Sequence, residues 1–441
     1  MRQITPISTL RPVAFASTAL VSTLASPALA FDGADISHSV KATATAFTDD
    51  APEGSRNNKY ETSLLYSADT TLYLTDTLSM AISGYIHEAS HTEISGAFVS
   101  PNQDESKSPY GDFIELGLRW DFDDDTFKIG KWKQNYEFAE RLTLLNRYNL
   151  GDYTVPLNNV NAGNWLAQWQ HFFDSGNLNI TVMPYHPATG QPAEGSRWSG
   201  ANSDGNLEPK FTFGGKEYTY TDETIYSPNP DIAIIWEGSA ELFDYALGAS
   251  RAQSLYSVSK ATGVDDERQT VYPHATAIFG GISYPLDSAR LFMEALYQNT
   301  DDGKDDDFIR INTGVAFNLY NYAEKLDFED LNVSFEFLTD RTVRDQSHPD
   351  FSTPSSNSRP FQNALYAVVS AKLTSEWTLS QELARGFSKR DSLSMTKLTY
   401  SFDDSTKLSL QYTSFDGIKD VSLFGNWKDN DNITLTFTKD F

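Results

Sequence analysis

The sequence contains no cysteine. That removes disulfides, thiolate metal sites and cysteine nucleophiles together. Beyond residue 30 it has no long continuous apolar run, so no membrane-crossing helix is expected there. It is also short of positive charge, with 34 Lys and Arg against 60 Asp and Glu. Nucleic acid is therefore not an expected partner, since phosphate is met with basic patches. Catalytic signatures are missing too. The seven His are scattered, and no H-E-x-x-H helix, G-x-S-x-G elbow or phosphate-binding glycine loop occurs. An enzyme is not expected, nor is a cofactor. The run Asp301-Asp302-Gly303-Lys304-Asp305-Asp306-Asp307 lacks the spacing and closing Glu of a calcium loop. It reads as a solvated acidic loop, so no metal site is expected.

The first thirty residues have the composition of a processed leader. Arg2 and Arg11 precede an apolar stretch, Val13 to Ala25, and then Ser26-Pro27-Ala28-Leu29-Ala30. Small residues at Ala28 and Ala30 suit a signal peptidase, and the stretch is too short for a spanning helix of about 20 residues. Cleavage is expected after Ala30, leaving Phe31 first. Loss of Arg2 and Arg11 leaves 32 cations against 60 acids, a net of −28. Such a chain is expected to be exported from a Gram-negative cytoplasm.

Aromatic residues are abundant: 28 Phe, 22 Tyr and 8 Trp in a polar chain. They fall within period-two segments. Leu64, Tyr66, Ala68, Leu72 and Leu74 mark one face of a strand, and Leu78, Met80, Ile82 and Ile86 the next. Ile114, Leu116, Leu118, Trp120 and Phe122 alternate with Glu115, Gly117, Arg119 and Asp121. Val333, Phe335 and Phe337 alternate with Asn332, Ser334 and Glu336. Alternation of this kind marks half-buried strands.

The connections decide between a soluble sandwich and a membrane barrel. Polar loops at 49–59, 92–110, 137–163 and 186–230 take turns with tight turns at 75–77, 123–125 and 174–177. Outer-membrane barrels alternate short turns on one rim with long loops on the other, whereas a sandwich has no reason to. Nineteen candidate segments can be counted, and single-chain bacterial barrels have an even number. Joining 406–415 and 421–427 into one kinked strand, with a short loop from Lys428 to Asp431, gives eighteen; sixteen is the alternative. The fold class expected is all-β, a transmembrane antiparallel β-barrel occupying 31–441 as one domain.

The final segment, Asn432 to Phe441, places Ile433, Leu435, Phe437 and Phe441 on one face. It resembles the C-terminal strand of outer-membrane barrels, which ends in a Phe read by the barrel-assembly machinery. Lys439 departs from that pattern, which favours an aromatic there. The resemblance implies location in the outer membrane, in contact with its lipid and lipopolysaccharide, and makes Phe441 the expected assembly signal. Deleting Phe441 should impair membrane insertion far more than a change in a loop, read as loss of the heat-modifiable gel mobility of folded barrels. Normal assembly without Phe441 would contradict that role.

Candidate working residues cluster after the fifth strand. Gly130-Lys131-Trp132-Lys133-Gln134 is rich in cations, and Phe138 to Arg147 carries apolar residues at helical spacing inside a loop. The GKWKQ strand resembles the glycine-basic-glutamine strand of monomeric channel barrels of the alginate-export type. That likeness implies a wide barrel passing an elongated or anionic solute. In general porins the third loop folds inward. Lys131, Lys133, Arg141 and Arg147 are accordingly the candidate pore constriction, with a helix lying on the rim as the alternative reading. Lumen-facing charges are expected at Glu115, Arg119, Lys128, Arg310 and Lys372, and at Glu294, Glu336 and Glu382, where opposed signs would create a transverse field. The function expected is a porin-like channel for small hydrophilic, elongated or polysaccharide solutes. The alternative is a structural or adhesion barrel acting through its loops.

Overall fold

The computed structural model describes residues 33–51, 58–90, 111–152, 160–184, 196–198, 210–213, 216–220, 225–264, 267–353, 359, 361–418 and 422–441. The expected cleavage point after Ala30 and the loop 92–110 lie outside them. Eighteen strands form the barrel. In chain order they are β1 Gly33–Phe47, β2 Tyr60–Tyr73, β3 Leu78–Ala89, β4 Gly111–Phe122, β5 Asp125–Trp132, β6 Asn164–Phe173, β7 Gly176–Met183, β8 Asp231–Ser239 and β9 Asp244–Gln253. They continue as β10 His274–Pro285, β11 Ala289–Thr300, β12 Asp307–Asn318, β13 Asp330–Arg344, β14 Asn363–Lys372, β15 Trp377–Gly386, β16 Asp391–Asp403, β17 Thr406–Asp416 and β18 Asn432–Asp440. Each pairs antiparallel with its successor, and β18 returns to β1 with Thr436 opposite Thr43. Closure leaves no edge strand to recruit another chain.

Alternation along each strand sorts side chains by face, and the usual burial is inverted. Leu247 and Ile278 are each 62% exposed, while Glu294, Gln298 and Asn312 are 0% exposed. Water would penalise that arrangement, and a bilayer rewards it: apolar side chains meet hydrocarbon and polar ones face inward. Outward aromatics gather near the short turns. Trp377, Tyr400 and Phe402 contact one another at 4.8 and 4.9 Å, Phe173 lies 5.1 Å from Trp236, and His38 stacks on Phe441 at 4.9 Å. Rings there match the interface between hydrocarbon and water. The Phe441 backbone N–H donates to the His38 carbonyl at 2.9 Å, which fastens the last residue to β1.

Three sequence expectations need correction. Residues 421–427 are not the continuation of a kinked strand. Strand β17 ends at Asp416, and the loop to β18 holds a helical turn, Leu423–Asn426, capped by the Ser422 side chain accepting from the Gly425 N–H. The acidic run is not solvated throughout: Asp302 is exposed, but Asp305, Asp306 and Asp307 are buried. Asp307 takes Arg344 at 2.8 Å and Asn299 at 2.8 Å, and Asp306 accepts from the Gln346 N–H at 2.7 Å. Finally, the helical spacing at 138–147 forms no helix, because side chains from the barrel wall take its N–H groups. The strict alternation of loop lengths also stops after β10, where β11 and β12 are joined by only 301–306.

Candidate functional site

The first part of the loop between β5 and β6, residues 133–150, does not lie on the rim. Its start is set by Gly130, whose φ of +128° reshapes the end of β5; a Cβ there would stand 2.3 Å from the Leu116 carbonyl oxygen. The loop then folds on itself. Asn149 accepts from the Gln134 N–H and donates to the Gln134 carbonyl, both at 2.8 Å, and Asn146 accepts from the Tyr136 N–H at 2.8 Å. Gln134 donates to Thr181 on β7 at 3.1 Å, and Gln168 on β6 donates to the Tyr136 hydroxyl at 2.9 Å.

From there the chain crosses the lumen. Glu294 on β11 accepts from the N–H groups of Phe138, Ala139 and Leu144 at 2.7, 2.8 and 2.5 Å, and from the Thr143 hydroxyl at 3.1 Å. Glu336 on β13 accepts from the N–H groups of Glu140, Arg141 and Leu142 at 2.9, 2.8 and 3.0 Å, and from the Asn312 amide at 2.8 Å. Each carboxylate thus satisfies four donors. This also explains the missing helix: the N–H groups that a helix would aim at carbonyls four residues back are taken by two glutamates. A buried carboxylate costs several kcal/mol of desolvation. Hydrogen bonds to a charged group contribute roughly 1.5–3 kcal/mol each, so four offset that cost. Gly281 on β10 makes room for the crossing, since a Cβ there would lie 2.6 Å from the Phe138 ring.

Ion pairs fix the far end of the loop. Arg290 donates to Glu140 at 2.8 Å, and Arg141 donates to Glu382 on β15 at 2.8 Å. The Tyr366 hydroxyl also donates to Glu382, at 2.6 Å. In the order of eighteen strands, β15 lies ten strands from β5 one way and eight the other, so the loop bridges the barrel from wall to opposite wall.

The crossing divides the lumen into unlike halves. On the side of β7 to β13, Leu144, Leu145 and Tyr148 pack with Met183, Ile235, Phe279, Leu296 and Phe308 into an apolar core that fills the space. On the other side a row of hydroxyls runs across six neighbouring strands: Thr378, Thr399, Ser409, Thr436, Thr43 and Ser63 stand opposite one another in register. Inward rows above and below it carry Lys397 and Lys41, Lys397 being exposed. Below the loop, toward the turns, Glu140, Arg290, Asn318, Asn332, Ser334 and Ser370 line a cavity of about 510 Å³.

The four expected constriction cations are not alike. Arg141 is exposed and paired with Glu382. Lys133 is half-buried, its N–H donating to Glu115 at 2.9 Å. Lys131 shares its outward register with Trp165 and is buried against Asp112 at 2.9 Å. Arg147 is buried, donating to Gln298 at 2.6 Å with Phe279 beside it. Burial keeps those last two charges off any water-filled path.

Of the expected lumen charges, Glu294, Glu336 and Glu382 hold the loop. Glu115 receives Lys133, Lys128 lies 5.5 Å over the Trp132 ring, and Arg119 pairs with Asp121 at 2.9 Å. Arg310 is buried 3.3 Å from Asp340 and bonded to the Tyr256 hydroxyl. Lys372 lies apart at the turn rim, paired with Glu329 at 2.7 Å. Sequence reasoning missed Arg290, Gln298 and Asn312, although each sits in the inward phase of an alternating strand. It also missed Glu140, whose segment shows a helical spacing that the structure does not follow and no strand alternation that would mark an inward position.

The inverted burial, the closed eighteen-strand sheet and the inward third loop define a transmembrane antiparallel β-barrel of porin-like fold. No family model and no curated protein matches the sequence. Solved structures do match in fold. Acinetobacter baumannii OccAB4 aligns with a TM-score of 0.53 and 8% identity, over 93% of this chain and 99% of that one. Pseudomonas aeruginosa OccK11 (OpdR) gives 0.52 and 9% over 92% and 96%. A BenF-like porin from Pseudomonas fluorescens Pf-5 gives 0.52 and 8% over 93% and 98%. At such identities the likeness is one of fold.

Proposed function

We propose that this chain is an outer-membrane channel, and that small hydrophilic solutes pass beside the crossing loop along the hydroxyl-bearing wall. The observation that carries this reading is the crossing itself. A loop pinned by Glu294 and Glu336 fills one half of the lumen with apolar side chains. The facing wall carries a row of Ser and Thr between inward rows bearing Gln411, Lys397 and Lys41, with the apolar cluster of Phe47, Leu393 and Phe415 toward the loop rim. Hydroxyls donate and accept with equal ease, so water and polar solutes exchange partners along such a wall at little cost. The exposed charges, Lys397 and the Arg141–Glu382 pair, act on the solute directly. The acidic balance of the chain is carried largely by loops, turns and paired groups.

The barrel would sit in the outer membrane with lipid and lipopolysaccharide around its apolar band. Proteoliposome swelling tests the channel reading. The parent protein should admit small sugars and amino acids, and deletion of 138–150 should speed the entry of each. A folded barrel that admits neither, with or without the loop, would shift the function to the outer loops. There a five-stranded sheet, built from Lys210–Phe213, Lys216–Tyr220, Val258–Ala261, Glu267–Val271 and Phe351–Thr353, offers the second reading, a binding or adhesion surface.

A further inference from the structure

The longest connection, 184–230, is rooted on β7 and β8, yet two of its residues stand elsewhere. Arg197 is 1% exposed and lies among the loops 48–59 and 417–431. Its Nε donates to Asn430 Oδ1 at 3.1 Å, and its Nη1 to the Asn58 carbonyl at 3.0 Å. Its Nη2 donates to the carbonyls of Asp429 at 2.7 Å and Asp49 at 3.2 Å. Asn430 returns a bond to the Arg197 carbonyl at 2.8 Å, and the guanidinium sits 4.1 Å over the Phe47 ring. Trp198 meets Phe47, Phe415 and Trp427 edge-on at 6.1, 5.9 and 5.6 Å, and its carbonyl accepts from Trp427 Nε1 at 2.9 Å.

The positions around the barrel give these contacts their meaning. Phe47 and Phe415 point inward from β1 and β17. Counted around the barrel, β17 is ten strands from β7 one way and eight the other. Arg197 and Trp198 are therefore planted on the wall facing the one that roots their loop. Later in the same loop, Lys216–Tyr220 pairs with Glu267–Val271, and that segment with Val258–Ala261, in the connection between β9 and β10. One loop thus has attachments on different sides of the same mouth. The fork of an arginine suits a cluster of carbonyls as a lysine does not.

We propose that Arg197 and Trp198 are positioning residues that tether this loop across the loop-rim mouth of the barrel, and that the tether limits the size of solute entering the lumen. The size effect rests on the channel reading; the tether does not. Removing the guanidinium leaves the half-buried Asn58 and Asp429 carbonyls, the Asp49 carbonyl and the buried Asn430 Oδ1 without this donor. Release of the loop should then become more frequent by on the order of a hundredfold.

The test uses the full chain in membranes, with Arg197→Ala, Trp198→Ala and Asn430→Ala, and Arg197→Lys as the conservative change. Heat-modifiable mobility confirms folding of each variant, and Asn430→Ala decides the matter if Arg197→Ala fails to fold. Nicking by proteinase K between 184 and 230 should be slow in the parent and much faster in the three alanine variants, with the lysine variant between. Neutral polyethylene glycols should enter the channel up to a larger mass in the variants that nick faster. Equal nicking in parent and folded variants would overturn the tether. Faster nicking with an unchanged mass limit would overturn its role in size selection. A parent barrel that does not conduct would remove the channel reading, while the nicking comparison would still decide the tether.

Discussion

In planar bilayers the double variant Glu294→Ala, Glu336→Ala should show a larger and noisier single-channel conductance than the parent. The two carboxylates receive six backbone N–H groups, the Thr143 hydroxyl and the Asn312 amide. Alanine provides no acceptor. Each buried donor left without one costs about 1–3 kcal/mol. The sum exceeds what the apolar contacts of Leu144 and Leu145 restore at roughly 1.5–3 kcal/mol per buried side chain, so the crossing should come loose. Glutamine variants should do less, since the amide keeps one oxygen but turns its NH2 toward N–H groups it cannot serve. The barrel should survive in all of them, because its ladder does not depend on the loop. An unchanged conductance in the double alanine variant would mean that these glutamates do not set the bore.

Arg141 and Arg147 should separate cleanly. Arg141 is exposed to the lumen and neutralises Glu382, which also takes the Tyr366 hydroxyl. Arg141→Ala leaves the Glu382 charge facing the passage, where a partly dehydrated ion feels it with less screening than in bulk salt. Reversal potentials in a salt gradient should move toward cations, with little change in conductance. Arg147 is buried and donates to Gln298. Arg147→Ala should loosen the loop and raise conductance, leaving selectivity nearly unchanged. Equal shifts of selectivity from both variants would contradict the burial of Arg147.

Much of this architecture is legible in the sequence, because the bilayer imposes a period of two. Ile309, Ile311, Val315 and Phe317 show the outward phase of β12 without any structure, and the same alternation puts Glu294 and Glu336 inward. Loop length marks the rims over the first ten strands. Legibility fails where the period fails. Residues 138–147 carry helical spacing, yet two distant glutamates take their N–H groups, and no local pattern announces such partners. Burial of Asp305, Asp306 and Asp307 is hidden for the same reason: the groups that satisfy Asp306 and Asp307 come from other segments, Asn299, Arg344 and the Gln346 N–H. Lys131 and Arg147 look like lumen charges because cations cluster there, and only the packing shows that Asp112 and Gln298 have already taken them.

An open, hydrophilic passage beside the crossing loop should be visible in single-channel recordings of the purified, folded parent protein. Discrete steps are expected that grow in proportion to salt concentration and become larger when 138–150 are deleted. A heat-modifiable, folded barrel that gives no steps with the loop present and none with it deleted would rule the passage out.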